Sequence, residues 1–268
     1  MTAEAAGAAD AAGPGGWACA APVARVRGVG VTYEASDRLA RIVLDRPEAG
    51  NALDLEMARA LREAVERALG DPYVDILTLT ANGADFCVGS DTSAAEQAED
   101  PTTAVFELAA ALEELFSLLN NSSKLVLVGV QGLAAGSGLG LVLAGDLAFC
   151  AGDTTFRVPP KGGTGAPDPG LAWLLPRAIG QQRALSFGLG GRTLDAATAD
   201  DWGIAELAPD GDVAAALQDA ASNLGGKHLW ANSEMRRLLH ASWETSRTEL
   251  SQSEAVTLVR ALLNRNRG

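Results

Sequence analysis

The chain is poor in the side chains that most often move protons or hold metals. Its 268 residues include two histidines, His228 and His240, and three cysteines, Cys19, Cys87 and Cys150. None of the cysteines stands in a Cys-x-x-Cys pair or at a Cys/His metal spacing, and an odd number gives no paired framework. A metal site and a disulfide scaffold are therefore not expected, and a reducing cytoplasm is. Basic residues are also outnumbered: 21 Lys and Arg against 34 Asp and Glu leave a net charge of −13. Such a surface repels nucleic acid and anionic membranes, so neither is expected as a partner. No apolar run approaches the roughly 18 residues of a membrane span. The first 24 residues carry no Lys or Arg to start a signal peptide.

What is present is small and apolar: 47% of residues are hydrophobic and 30 are glycine, enough for one enzyme-sized core. Residues 1–24 are almost entirely Ala, Gly and Pro and read as a disordered tail. Order is expected from Val29, where two alternating runs, 29–33 and 39–44, predict a hairpin. Leu53, Met57, Leu61, Val65 and Leu69 recur every four residues as one helix face, which Gly70-Asp71-Pro72 ends. A buried strand over 74–80 leads into the loop 81–91, and the polar stretch 93–101 predicts a mobile surface loop. A second amphipathic helix follows from Thr102 to Leu119, then a strand over 124–130. Short elements are expected at 139–144 (helix) and at 146–150 and 154–158 (strands). The remainder reads as helical over 171–188, 195–202, 213–223 and 229–265. Alternating strands and helices favour an α/β core with right-handed crossovers.

Two glycine-containing turns, each after an apolar strand, stand out. One is Val130-Gln131-Gly132-Leu133-Ala134-Ala135-Gly136-Ser137-Gly138-Leu139-Gly140-Leu141; the other is Ala81-Asn82-Gly83-Ala84-Asp85-Phe86-Cys87-Val88-Gly89-Ser90-Asp91. Glycine and serine let a backbone come close to a ligand, and unpaired N–H groups at such a turn can hold an oxyanion or a phosphate. Close packing of a glycine-rich helix on a sheet accounts for the first turn equally well. The run Gly162-Gly163-Thr164-Gly165 lacks the Lys-Ser/Thr ending of a phosphate loop.

With Leu44-Asp45-Arg46-Pro47-Glu48-Ala49-Gly50-Asn51-Ala52-Leu53, Asp146, the stretch from Pro167-Asp168-Pro169-Gly170 to Gly180, and Gly191-Arg192-Thr193-Leu194-Asp195 through Gly203-Ile204, these turns resemble the enoyl-CoA hydratase/isomerase (crotonase) family over about residues 29–265. The resemblance implies a crotonase-like spiral of ββα units. Its core would span residues 25–205, and a C-terminal helical region, 206–268, would make the contacts of a homotrimer or hexamer. It also implies a thioester substrate, on coenzyme A or a carrier protein, with no separate cofactor. The carbonyl would sit in an oxyanion hole formed by the backbone N–H groups of Ser90 and Ser137. Arg46, Ala52, Val88, Gly89 and Gly136 would line the binding site, with the adenine held by backbone near Ala52 and Val88. Ala49 and Gly50 stand where the family often has basic residues, so Arg46 with Arg260 or Arg265 would have to meet the phosphates.

The match breaks at the acids. Hydratases of the family use two glutamates, and the matching positions here are Gly140 and Pro160. Asp168 falls where some isomerases and a dehalogenase of the family carry an aspartate facing the acyl group. A partly desolvated carboxylate there suits a proton shuttle, and an N-cap for the helix that follows is the alternative use. The dehalogenase route needs a histidine base, and His228 and His240 lie in the C-terminal part. Asp91 reads as a loop-fixing acceptor, and Trp173 and Trp202 as packing residues. The reading that follows is a thioester double-bond isomerase with Asp168 as acid/base. A specialised hydratase, dehydratase or decarboxylase, and a catalytically silent homologue that binds acyl-CoA, are the rivals.

Overall fold

The computed structural model describes residues 24–158 and 168–265. The expected tail, apart from Ala24, and the 162–165 glycine run lie outside the described residues, as do Cys19, Pro160 and Lys161. The chain enters the fold earlier than the hydropathy pattern suggested, through β1 (Ala24–Gly28), and continues into the hairpin β2 (Val31–Ser36) and β3 (Leu39–Leu44). Helix α1 (Leu55–Gly70) starts where the Asp54 carboxylate accepts the Met57 N–H at 2.8 Å, and it buries Met57, Leu61 and Val65 along one face. Then come β4 (Ile76–Ala81), the one-turn α2 (Ser93–Glu96) and the long α3 (Pro101–Asn120). The expected 93–101 loop is thus partly helical, with Thr92 Oγ1 bonding the Glu96 carboxylate at 2.5 Å across the turn.

The centre of the chain alternates tightly: β5 (Leu125–Val130), β6 (Leu133–Ala135), α4 (Ser137–Leu143), β7 (Leu147–Cys150) and β8 (Thr155–Arg157). The single helix expected over 171–188 is two, α5 (Leu171–Ile179) and α6 (Gln181–Gly190), because Gly180 adopts φ 80°, ψ 154°, which no helix can contain. The chain closes with β9 (Leu194–Asp195), α7 (Ala196–Trp202), β10 (Glu206–Leu207), α8 (Val213–Leu224), α9 (Leu229–Ala241) and α10 (Arg247–Arg265).

Seven strands form a mixed sheet in the order β1-β2-β3-β4-β5-β7-β10, antiparallel through the first three and parallel from β3 onward. A second sheet, β6-β8-β9, begins just beyond the end of β5. All of β5 is buried, and its side chains serve two cores by the period of two. Val126, Val128 and Val130 join the main core with α1 and α3, while Leu125 and Leu127 pack with Leu217 of α8 on the other face. Gly129 permits that second layer: a Cβ there would stand 2.7 Å from Leu217 and 2.8 Å from Val213.

The C-terminal helices are tied to the core through one buried cation. Arg236 of α9, 8% exposed, holds the Asp146 carboxylate at 2.7 Å and donates to the carbonyls of Leu119, Asn120 and Ser122 at the end of α3. It thereby adds a charged donor at the carboxyl end of the helix, where carbonyls run short of intrahelical partners. Asp146 in turn accepts the Val126 N–H of β5 at 2.8 Å, so one guanidinium links α9, α3 and the central sheet. Replacing Arg236 by alanine takes the cation from the largely buried Asp146 carboxylate, which keeps the Val126 N–H and His240, and one donor from each of three carbonyls. The expected loss is about 3–5 kcal/mol of stability, read as a lower denaturant midpoint; a change below about 1 kcal/mol would mean the pair contributes no more than a surface contact.

Candidate active site

Both glycine-containing turns arrive at one place because short backbone ladders dock them. The Cys87 N–H donates to the Leu133 carbonyl at 3.2 Å, and the Ala135 N–H donates to Cys87 at 2.9 Å, so the 81–91 loop runs beside β6. The opposite edge of the loop is held where the Leu53 N–H meets the Gly89 carbonyl at 2.9 Å and the Asp91 N–H meets the Leu53 carbonyl at 2.8 Å. Buried Asn51 locks the base of the arrangement: its amide donates to the carbonyls of Asn82 and Asp85, both at 2.9 Å, and its oxygen accepts the Arg46 N–H at 2.8 Å. Gly136 sits at φ 51°, ψ −124°, a conformation open in practice to glycine alone, and so turns β6 into α4 with the Ser137 N–H facing inward.

The result is a convergence of donors on one oxygen. Oδ2 of Asp168 accepts the Ser90 N–H at 3.2 Å, the Ser137 N–H at 2.5 Å and the Ser137 hydroxyl at 2.7 Å. The two serine hydroxyls are 2.6 Å apart. The three residues expected to carry the chemistry are therefore in direct contact. Asp168 does not cap α5: Gly170 holds the N-cap position with no side-chain bond, which removes the capping alternative. Three donors gathered on one anionic oxygen is the geometry that stabilises negative charge developing on a carbonyl oxygen.

The neighbouring positions divide. Ala52, Val88 and Gly89 lie along one strip, with the Val88 N–H bonded to the Gly50 carbonyl at 3.0 Å. Arg46, partly exposed, pairs with Asp54 at 3.0 Å and Asp91 at 3.1 Å and donates to the Ala52 carbonyl at 3.1 Å, so two carboxylates offset its charge. Asp91 fixes its loop as expected. Its carboxyl is held below the usual range, chiefly by the Ser93 hydroxyl and further by Arg46. Arg260 pairs with Glu234 at 3.9 Å, between α10 and α9. Cys87 is fully buried and its thiol is pushed up to about 12 by desolvation, which removes it as a nucleophile. His240 lies 3.3 Å from Asp146, while Trp173 and Trp202 stack edge-on against Trp243 and Phe187.

One position beside the site escaped the sequence. Phe116, on α3 and 4% exposed, drives its ring between α4 and the turn that carries Asp168. A Cβ on Gly140 would stand 2.8 Å from the Phe116 ring, and one on Gly170 2.7 Å from it. The place where resemblance put a hydratase glutamate is thus filled by an aromatic ring. A helix-periodic Phe reads only as core, and only the pairing with two distant glycines reveals the wedge. Among the described residues, no group of three or more His, Cys, Asp or Glu side chains could hold a metal, and no helix is long and apolar enough to cross a membrane.

Comparison with known proteins places this geometry. Residues 34–263 match the family model for enoyl-CoA hydratase/isomerase. A 1,2-epoxyphenylacetyl-CoA isomerase from Escherichia coli is 34% identical over 192 residues, 70% of this chain and 71% of that protein. A probable enoyl-CoA hydratase from Rhodobacter capsulatus is 33% identical over 212 residues, 79% and 81% of the two chains. The crystal structure of an enoyl-CoA hydratase/isomerase homologue from Mycobacterium abscessus superposes with a TM-score of 0.80 at 33% identity, covering 86% of this chain and 90% of that one.

The wedge is testable by stability alone. Gly140→Ala gains about 1 kcal/mol of helix propensity but overpacks against Phe116 at a cost of about 1–3 kcal/mol. A net loss is expected that Phe116→Leu relieves, with a coupling of at least about 0.5 kcal/mol in a double-mutant cycle. Additive effects would show that the ring and Gly140 do not compete for space.

Proposed function

The chain belongs to the enoyl-CoA hydratase/isomerase family, and from that premise we propose that it is an acyl-CoA double-bond isomerase working through a thioester enolate. The observation that carries the reading is the Asp168 carboxylate, seated against the donors of the hole. Its Oδ2 marks the position that a thioester carbonyl oxygen would take. When substrate oxygen displaces it, the carboxylate is left beside the carbons next to that carbonyl. Asp168 then removes a proton from the α-carbon of a 3-enoyl thioester; the C–H electron pair forms a double bond to the carbonyl carbon, and the carbonyl π pair moves onto its oxygen, giving a dienolate. The same carboxyl group returns the proton at the γ-carbon as the carbonyl reforms, giving the 2-enoyl thioester. One acid/base suffices because the proton leaves and re-enters on one face.

Hydration fits these residues less well. It needs a water held and activated by paired carboxylates, and on α4 the Phe116 ring occupies the volume at Gly140. Relatives carry both names, so the distinction rests on Asp168 and Phe116. The proposal extends to assembly: Leu239 of α9 and Leu258, Val259 and Leu262 of α10 are exposed, and this is the surface we assign to contacts between copies.

Asp168→Ala separates catalysis from binding. With a 3-enoyl-CoA followed by the absorbance of the conjugated product, turnover is expected to fall about 10²- to 10⁴-fold. A saturated acyl-CoA of the same length should bind at least as tightly as to the wild type, because the competing carboxylate is gone. Undiminished turnover would remove Asp168 as the acid/base. Tight binding without turnover in the wild type would favour a silent acyl-CoA-binding protein.

A further inference from the structure

Beyond the two backbone donors, we infer that the Ser137 hydroxyl is a third donor of the oxyanion hole, oriented by the Ser90 hydroxyl. This inference rests on the thioester-enolate reading and adds to it a side-chain group that touches the reacting oxygen. The observation is the occupant: a single carboxylate oxygen receives the Ser137 hydroxyl at 2.7 Å alongside both N–H groups. An enolate oxygen is also an anionic oxygen and, in the same place, meets the same three donors.

The direction of the hydroxyl chain follows from proton counting. A carboxylate is an acceptor only, so Ser137 spends its single O–H on Asp168. In the 2.6 Å contact between hydroxyls, Ser137 must then be the acceptor and Ser90 the donor. The Ser90 proton thus holds the Ser137 oxygen in place and keeps the Ser137 proton aimed into the hole. Ser137 is completely buried, so water does not compete for that proton. A hydrogen bond from a hydroxyl to an oxyanion is charge-assisted and strengthens as charge moves onto oxygen. Ser137 is in these terms a catalytic residue by its side chain as well as its backbone, and Ser90 is a positioning residue by its side chain.

The test uses acetoacetyl-CoA, a thioester whose α-carbon ionises without turnover to an enolate with its own ultraviolet band. The ratio of enolate to keto form in the bound ligand is an equilibrium, compared at fixed pH in variants that all keep Asp168, so it reports how well the site holds the oxyanion. Ser137→Ala keeps the backbone N–H and is expected to lower that ratio about 10- to 100-fold. Ser137→Cys, with a weaker donor, should fall between. Ser90→Ala, which leaves the donor but not its anchor, should lower the ratio a few-fold. Melting temperatures within a few degrees of wild type confirm that each variant is folded. An unchanged ratio in both Ser137 variants, with acetoacetyl-CoA bound, would overturn the third donor and leave the enolate reading standing. Failure of the wild-type protein to bind acetoacetyl-CoA would overturn both together.

Discussion

Three hydrogen-bond donors aimed at one point in a largely enclosed site require an acceptor oxygen there. The N–H groups of Ser90 and Ser137 and the Ser137 hydroxyl converge on Oδ2 of Asp168, and Ser137 has no exposure to water. Left unpaired, each donor would cost roughly 1–3 kcal/mol of desolvation. The carboxylate therefore stabilises the resting site. In the proposed mechanism binding is an exchange between two oxygens over one set of donors, and the exchange would put the displaced carboxylate next to the bonds it acts on.

Much of the local structure exists to keep that set of donors rigid. The two loops come from distant parts of the chain, and neither is stiff alone. Cys87 and Ala135 lace the first to β6, Leu53 and Gly89 lace it to the segment before α1, and Asn51 joins Arg46, Asn82 and Asp85 beneath. Arg46 then bridges Asp54 and Asp91 across the mouth of the same loop. Because these are mostly backbone bonds, the position of the hole depends on chain path more than on side-chain identity. That explains how serine can stand at both donor positions without loss of geometry.

The periodic parts of this arrangement were legible in the sequence. The hairpin of β2 and β3, the faces of α1 and α3 and the buried run of β5 were all found from apolar spacing, which long regular elements express strongly. Ser90, Ser137 and Asp168 were found from motif resemblance, and all three meet. What stayed hidden depends on contacts between residues far apart. Strands β6, β9 and β10 are two or three residues long, too short for any period to show. The break at Gly180 lies inside a continuous apolar pattern. Arg236 looks like any helical arginine until Asp146 and three carbonyls are placed around it. Arg46, expected to meet phosphates, is paired with two carboxylates whose proximity no spacing rule announces.

Phe116 shows why the absent acid and the retained one belong together. Its ring abuts the positions where side chains would begin on both Gly140 and Gly170. A glutamate on α4 would need the volume of that ring. Yet the same ring supports Gly170, two residues beyond Asp168, and so helps set where the remaining carboxylate lies. Restoring an acid at position 140 would then remove the support of the acid at 168. In this packing a paired-carboxylate site and a single-carboxylate site exclude one another. A passage between the two chemistries would need changes at 116, 140 and 160 together.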